Sequence, residues 1–271
     1  MKMRFLLIFC VCIIPCQSWA CSVLYYIDQV TGQVYVVNHE DYWYDVKAVL
    51  WVEPSSEDQW ARLWYGWDRF AQGGVNEAGL FFDVAVTPEQ EAIPGYHHPE
   101  SNLGDELLAH CSTVDEAIAY LERHKIALTQ SHFMFGDKHG QAAIVEWVHG
   151  EKKIHWISDG HLVMTNFLLS DTTQGNYPCY RYESIHKRID ALEQEGGEAN
   201  LQRVGNLMGQ AAQPPRADDQ GRTGGTLYTT FINLTTMKFA LSYQLSNENV
   251  TILDLSAEFA KPKRQKFKLA K

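Results

Sequence analysis

Cys21 follows directly after a segment with the pattern of an export signal. Lys2 and Arg4 give the segment a positive start, and residues 5–15 form an apolar run that is too short to span a bilayer well. Small residues then precede a cleavage point after Ala20. Cleavage there predicts a periplasmic or secreted protein whose first residue is Cys21.

A cysteine at a new N-terminus can act as a nucleophile, because its own α-amine can serve as the general base. A free α-amine titrates near ~7.7 and needs no neighbouring histidine. Two other interpretations stay open at this point. Lipidation of Cys21 would acylate the amine and remove the base, although Ser18 and Trp19 make a poor lipoprotein box. Cleavage elsewhere would leave Cys21 as a structural residue.

Removal of the signal leaves three cysteines, namely Cys21, Cys111 and Cys179. An odd number in an oxidising compartment leaves at least one thiol unpaired. Cys111 and Cys179 could pair with each other, which would make the N-terminal cysteine the unpaired one.

Composition excludes several classes of function. The net charge of −10 is the wrong sign for a general nucleic-acid binder. The basic run at residues 261–271 is expected to be a solvated, frayed terminus. No other stretch is long and apolar enough for stable membrane insertion. Walker, GxSxG and HExxH motifs are absent, and the mature chain has no CxxC, so no cofactor or metal is predicted.

The order of predicted elements is strands, helices, strands, helices, strands. This segregation is typical of an α+β layered protein and predicts a single domain over residues 21–271. Strands are predicted at 21–27, 33–37, 47–52, 73–75, 80–86, three more within 133–166, 226–243 and 250–255. Helices are predicted around 103–111, 113–121, 185–192 and 201–208.

Four segments, taken in order, resemble the N-terminal-nucleophile (Ntn) amidases of the choloylglycine hydrolase, penicillin V acylase and isopenicillin-type acyltransferase group. They are Cys21 with the hairpin that returns to Asn38-His39-Glu40-Asp41, the turn at 73–80, Met164-Thr165-Asn166, and the segment at 179–182. Each segment is weak alone, whereas their shared order behind a cysteine freed by cleavage is specific.

The resemblance implies a fold and a set of site residues. The fold is an α+β four-layer αββα sandwich with antiparallel sheets. Cys21 would be the nucleophile, Asp41 would hold its α-ammonium, and Asn166 would donate to the oxyanion. Asn38 and Arg181 would position and polarise the nucleophile.

Two departures separate this chain from bile salt hydrolases. Asn38 stands where those enzymes have Arg, and Val86 stands where they have an oxyanion Asn. A second oxyanion donor in this chain would therefore be a backbone N–H group.

The implied function is hydrolysis of a linear amide C–N bond in a small N-acyl substrate through a thioester. A homo-oligomer, specifically a tetramer, is implied by resemblance. The alternatives are an exported, lipid-anchored binding protein without catalysis, or a peptidase or acyltransferase of the same fold. The sequence does not choose among penicillins, bile salts, acyl homoserine lactones, N-acyl amino acids and lipid amides.

Overall fold

The computed structural model describes residues 21–269, so the predicted export signal lies outside the described residues. Two antiparallel sheets lie face to face and carry helices on their outer faces. The predicted α+β class and the four-layer αββα arrangement are confirmed.

The first sheet has seven strands and contains the segment that begins at Cys21. Its path runs β10-β1-β2-β12-β13-β14, with β11 paired to β12. The strands are β1 (Ser22–Ile27), β2 (Val34–Trp43), β10 (His161–Met164), β11 (Arg216–Ala217), β12 (Thr223–Asn233), β13 (Lys238–Tyr243) and β14 (Val250–Asp254).

The second sheet has eight strands in the order β15-β3-β4-β5-β6-β7-β8-β9. The strands are β3 (Val49–Glu53), β4 (Arg62–Trp67), β5 (Phe70–Asn76), β6 (Leu80–Val86), β7 (Ser131–Asp137), β8 (Ala142–Val148), β9 (Glu151–Trp156) and β15 (Gln265–Lys268).

Five helices cover the outer faces or cap the sheets. They are α1 (Leu103–His110), α2 (Val114–Arg123), α3 (Tyr180–Glu195), α4 (Leu201–Leu207) and α5 (Leu255–Phe259). The Thr113 hydroxyl accepts a hydrogen bond from the Glu116 N–H at the start of α2, as its predicted capping box requires. Gly196 ends α3 with a positive φ of 68°, a conformation that glycine adopts at low cost.

Alternation along β1 shows how the layers form. Val23 and Tyr25 enter the apolar core between the two sheets, whereas Leu24 and Tyr26 pack under α3 and α4. A third core lies between the eight-stranded sheet, α1 and α2. A strand buried on both faces reads as a continuous apolar run, which matches the sequence of β1.

The pairing of β1 on both sides fixes the surroundings of Cys21. On one side Ser22 lies opposite His39 of β2, and on the other Val23 lies opposite Met164 of β10. The same registers, continued by one or two residues, bring Cys21 beside Glu40 and Asn166.

The strand boundaries differ from the sequence prediction in three places. β4 was not predicted, and residues 131–164 form four strands rather than three, since β10 joins the other sheet. The predicted strand over 226–243 is two strands, β12 and β13, separated by a turn in which Met237 has a φ of 53°.

The prediction of a frayed basic terminus is wrong for the described part of the tail. Residues 265–268 form β15, which pairs with β3 at the edge of the eight-stranded sheet. The Arg264 guanidinium lies 3.8 Å from the centre of the Trp51 ring and also binds Glu53. Cation–π contacts and strand pairing hold this segment despite its charge.

We predict that a methyl group at Gly136 would force the sheets apart. A Cβ atom there would lie 2.5 Å from two ring carbons of Tyr25, which is too close for real side chains. Gly136→Ala is expected to lower the free energy of unfolding by about 1–3 kcal/mol, measured by denaturant titration. Tyr25→Leu should relieve part of that cost, so fully additive effects in the double variant would contradict this packing.

Candidate active site

Cys21 directly precedes β1, and its thiol lies in the core between the two sheets. The residue is 5% exposed, and its Sγ donates a hydrogen bond to Glu40 Oε1 over 3.1 Å. The backbone N–H of Asp41 also faces the sulfur. Burial, followed by the neighbouring carboxyl groups of Glu40 and Asp41 in their charged forms, raises the pKa of the Cys21 thiol.

Arg181, in the first turn of α3, joins three parts of the site. Its Nη1 donates to the Cys21 carbonyl oxygen (2.6 Å) and to Ser22 Oγ (2.7 Å), and its Nη2 donates to Asn166 Oδ1 (3.2 Å). The rigid fork of a guanidinium can hold several oxygens at once. Arg181 therefore connects the two other predicted site residues, Cys21 and Asn166, by direct hydrogen bonds to each.

The amide of Asn166 is oriented by contacts on both of its ends. While Oδ1 accepts from Arg181, Nδ2 donates to the Val86 carbonyl oxygen over 2.8 Å. A carboxamide carries two N–H donors, and this contact uses one of them. The other is the candidate oxyanion donor.

A buried histidine–glutamate hydrogen bond braces the strand end before Asn166. His132 has acceptors at both ring nitrogens, the Thr165 carbonyl oxygen at 2.7 Å and Glu146 Oε1 at 3.1 Å. The Nε2 position donates, because a carbonyl oxygen only accepts, and Nδ1 then faces the carboxyl group of Glu146. Burial alone would raise the pKa of Glu146, but hydrogen bonds from His132 and His155 hold it well below its usual range. Glu146 also accepts two backbone N–H groups of the loop after Asn166.

Asp41 is buried with one of its oxygens unsatisfied. Oδ1 accepts from Thr226 Oγ1 over 2.6 Å, whereas Oδ2 has no hydrogen-bond partner among residues 21–269. Burial raises the pKa of Asp41 to about 7, although the Thr226 hydrogen bond and the charge of Arg181 act in the opposite direction. An unpaired oxygen in such a place is costly unless a donor arrives.

Asn38 lies in the same interior but contacts a residue that the sequence did not predict. Its Nδ2 donates to Asp83 Oδ2 over 2.5 Å, and the Tyr65 hydroxyl donates to the same oxygen over 2.9 Å. Asn38 therefore hydrogen-bonds Asp83, and it is Glu40 that contacts the sulfur of Cys21.

Sequence reasoning missed Glu40 and Asp83. In β2 the inward-facing positions alternate through Val34 and Val36, so the same alternation turns Asn38 and Glu40 towards the core. Asp83 is the one charged residue of the apolar strand β6. The sequence therefore did contain a clue to each residue, namely an acidic side chain at a position where the strand pattern predicts burial.

The other two cysteines do not pair. Cys111 and Cys179 are buried thiols without a disulfide. Cys111 follows α1 on one outer layer and Cys179 begins α3 on the other. The pairing that the sequence left open is therefore absent, because both sheets lie between the two residues.

Neither a metal centre nor a membrane span is found in the part of the chain that the structure describes. No three His, Cys, Asp or Glu side chains there are arranged to hold a metal ion. None of the described helices is both long and apolar enough to cross a bilayer.

One family model matches residues 71–247, more than half of the chain, and its description is acyl-coenzyme A:6-aminopenicillanic acid acyl-transferase. The chain belongs to this family. The matched range includes Asn166 and Arg181 and begins after Cys21, Asn38 and Asp41. No curated protein sequence matches the chain.

Solved structures share the fold at low sequence identity. A variant of the conjugated bile acid hydrolase from Clostridium perfringens superposes with a TM-score of 0.74 and 16% identity, covering 92% of this chain and 97% of that chain. Penicillin V acylase from Agrobacterium tumefaciens gives a TM-score of 0.71 and 22% identity, covering 92% of both chains. The fold is that of the Ntn hydrolases, as predicted.

We predict that Arg181 contributes strongly to stability. Arg181→Met leaves three buried oxygen acceptors without their donor, so the free energy of unfolding should fall by about 3 kcal/mol or more. Arg188→Met, two turns further along α3, removes a partly exposed hydrogen bond to Asn206 and should cost less than about 1 kcal/mol. Equal losses in denaturant titrations would contradict this assignment.

We also predict a pH dependence that belongs to Asp41, in a chain where Cys21 is still joined to residue 20. With a native pKa of about 7 and an unfolded value near ~3.9, the native state keeps a proton that the unfolded state has lost. The stability contribution of Asp41 is therefore full below about pH 4 and lost as pH rises through about 7. Between about pH 4 and pH 7 the free energy of unfolding of the wild type should fall relative to that of Asp41→Asn. A constant difference between the two proteins over this range would contradict the raised pKa of Asp41.

Proposed function

We propose that this protein is an exported cysteine Ntn amidase that hydrolyses a linear amide C–N bond of an N-acyl substrate through a thioester. The observation that carries the proposal is the position of Cys21. Its thiol is buried at the start of a central strand, its carbonyl oxygen is bound by Arg181, and the unsatisfied carboxyl group of Asp41 is close by.

Cleavage after Ala20 would supply the missing partner of Asp41. The nitrogen of Cys21 is an amide while residue 20 precedes it and becomes an ammonium or amine when that bond is cut. An ammonium group is the donor that suits a buried carboxylate oxygen with no other partner. This pairing would orient the amine as a base and lower the pKa of Asp41 below its value in the uncleaved chain.

The reaction then follows from where charge develops. The thiol proton passes to the α-amine, and Sγ attacks the amide carbonyl carbon. The electron pair of the broken π bond moves to oxygen, where the second N–H of Asn166 stabilises it. The ammonium protonates the leaving nitrogen as the C–N bond breaks, and water hydrolyses the thioester.

Burial of Cys21 also bears on the lipid-anchor alternative. A lipoprotein carries its diacylglycerol on the sulfur of its first cysteine. Here that sulfur lies between two sheets and bonds to Glu40, so a lipid there would require the strand to leave the core. The geometry favours an unmodified N-terminal cysteine.

The substrate class is proposed from the relatives and from the aromatic surroundings. The two solved structures carry the names of a bile acid hydrolase and a penicillin acylase. Tyr42 and Trp67 stack at the end of β2 beyond Asp41, with ring centres 4.6 Å apart, and Phe167 packs against Tyr182 beside Asn166 and Arg181. These rings suit an apolar acyl group. The tetramer stays a prediction.

Acyl transfer is the second candidate, because the matching family is described as an acyl-transferase. The same thioester would then pass its acyl group to an amine instead of water. Product analysis with a penicillin nucleus or amino acid added as acceptor separates the two outcomes, since transfer yields a new amide and hydrolysis a free acid.

We predict that Cys21→Ala abolishes amide cleavage while the protein stays folded. Rates of amine release should be measured over penicillin V, conjugated bile salts and N-acyl amino acids, and the loss should be roughly 10³-fold or more. Cys111→Ala, which removes a buried thiol from an outer layer, is the matched control and should retain activity. Turnover by Cys21→Ala near the wild-type rate would overturn the mechanism.

The N-terminal residue and intact mass of the exported protein test the premise. A free, unmodified Cys21 is expected. A lipid mass on Cys21, or a different first residue, would remove the proposed base and favour the binding-protein alternative.

A further inference from the structure

Three buried carboxyl groups lie near Cys21. Glu40 touches the sulfur and Asp41 follows Glu40 on β2, whereas Asp83, on the facing sheet, is reached through Glu40 and not through the sulfur itself. Carboxylates buried this closely cannot all ionise, because each charge opposes the next in a medium of low polarity.

The hydrogen bonds that Glu40 and Asp83 accept indicate which of the two carboxyl groups keeps its proton. Asp83 accepts three donors, from the Asn38 amide, the Tyr65 hydroxyl and the Val84 N–H. Glu40 accepts from the Cys21 thiol at Oε1 and faces the Asn38 amide, but its Oε2 has no hydrogen-bond partner among the described residues. The negative charge is therefore better placed on Asp83 and the proton on Glu40. Burial raises the pKa of Asp83 to about 8, and burial together with the charge of Asp83 raises the pKa of Glu40 well above its usual range, so Asp83 is the first of the two to lose its proton.

The sulfur of Cys21 faces one backbone donor, the N–H of Asp41, whereas the amide of Asn38 on the same strand donates to Asp83. Arg181 is close, but its hydrogen bonds described above go to oxygens of Cys21, Ser22 and Asn166. A thiolate formed here needs another hydrogen-bond donor.

We propose that Glu40, in its neutral form, is a catalytic residue that donates a hydrogen bond to the Cys21 thiolate. Its part in turnover rests on the function proposed above, whereas its effect on the thiol does not.

The step conserves protons and electrons. In the resting state the S–H donates to Glu40 Oε1. When the thiol proton has passed to the α-amine, rotation about the Cγ–Cδ bond turns the carboxylic O–H to the sulfur. No hydrogen bond of Oε2 to the described residues opposes this rotation. Glu40 keeps its proton throughout and lets the sulfur electron pair go to the substrate carbon.

The rival role is an ionised Glu40 that takes the thiol proton itself. That would place two carboxylates, Glu40 and Asp83, in one apolar interior, with Oε2 of the ionised Glu40 left without a donor among the described residues. The two roles predict opposite changes in the thiol. A neutral donor stabilises the thiolate, whereas an anion repels it.

The test is the rate at which iodoacetamide alkylates Cys21 as a function of pH, followed by mass spectrometry on the exported protein. The variants are Glu40→Met, which removes the donor, and Glu40→Gln, which keeps a neutral N–H donor of similar shape. Glu57→Met, at an exposed position, is the control. Thermal unfolding establishes that each variant is folded.

The expected result is a higher pH of half-maximal alkylation in Glu40→Met, corresponding to about tenfold to hundredfold less thiolate at fixed pH. Glu40→Gln should lie between Glu40→Met and wild type. A lower half-maximal pH in both variants would show an anionic Glu40 and overturn the proposal, as would an unchanged profile in Glu40→Met.

Ionisable groups on several elements face Glu40 and bear on the pH profile. They are Cys21 just before β1, Asp41 on β2, Tyr65 on β4, Asp83 on β6 and Tyr228 on β12, and the charge of Arg181 on α3 acts on Asp41. Comparison of Glu40→Gln with wild type isolates Glu40, because the other groups are the same in both proteins.

Amide cleavage measured in parallel separates the two proposals. If the wild type fails to cleave the substrate panel while the Glu40 variants show the expected alkylation shifts, the amidase function is refuted and the role of Glu40 at the thiol is kept. Cleavage by Glu40→Met at the wild-type rate, with an unchanged alkylation profile, would refute Glu40 alone.

Discussion

The placement of a polar cluster in the space between two apolar sheets is the constraint on which the structure depends. Cys21, Asn38, Glu40 and Asp83 occupy positions that alternate with Val and aromatic residues on strands buried on both faces. Such a cluster is tolerated only when its donors and acceptors are matched. The matching is nearly complete at Asp83 and incomplete at Glu40 and Asp41.

Helix α3 holds the site from an outer layer, and strands β7 and β8 of the eight-stranded sheet hold it from within. Arg181 reaches in from α3 and binds the first residues of β1, so the helical layer fixes the main chain at the nucleophile. The His132–Glu146 pair lies below Asn166 and holds the strand end and the following loop. Cys21 and Asn166, the candidate nucleophile and the candidate oxyanion donor, are thus held in place by hydrogen bonds from neighbouring elements, as preorganisation of a site requires.

The electrostatics of the site change with the state of the chain. Before cleavage the interior around Cys21 holds three carboxyl groups and the guanidinium of Arg181. A free α-amine would add a second cation beside Asp41, the group whose Oδ2 lacks a partner. The unsatisfied oxygen is therefore a strained feature of the joined chain and a binding position in the proposed cleaved one.

The sequence by itself determined the α+β class and most strand and helix positions, because alternation and turn glycines are local signals, whereas the five candidate residues came from the family resemblance. Only the tertiary structure decided that Glu40 and Asp83 share the site, that Cys111 and Cys179 lie in opposite layers, and that the basic tail forms β15. Each of these depends on partners that are distant along the chain. Strand pairing and sheet packing, which no local pattern encodes, bring them together.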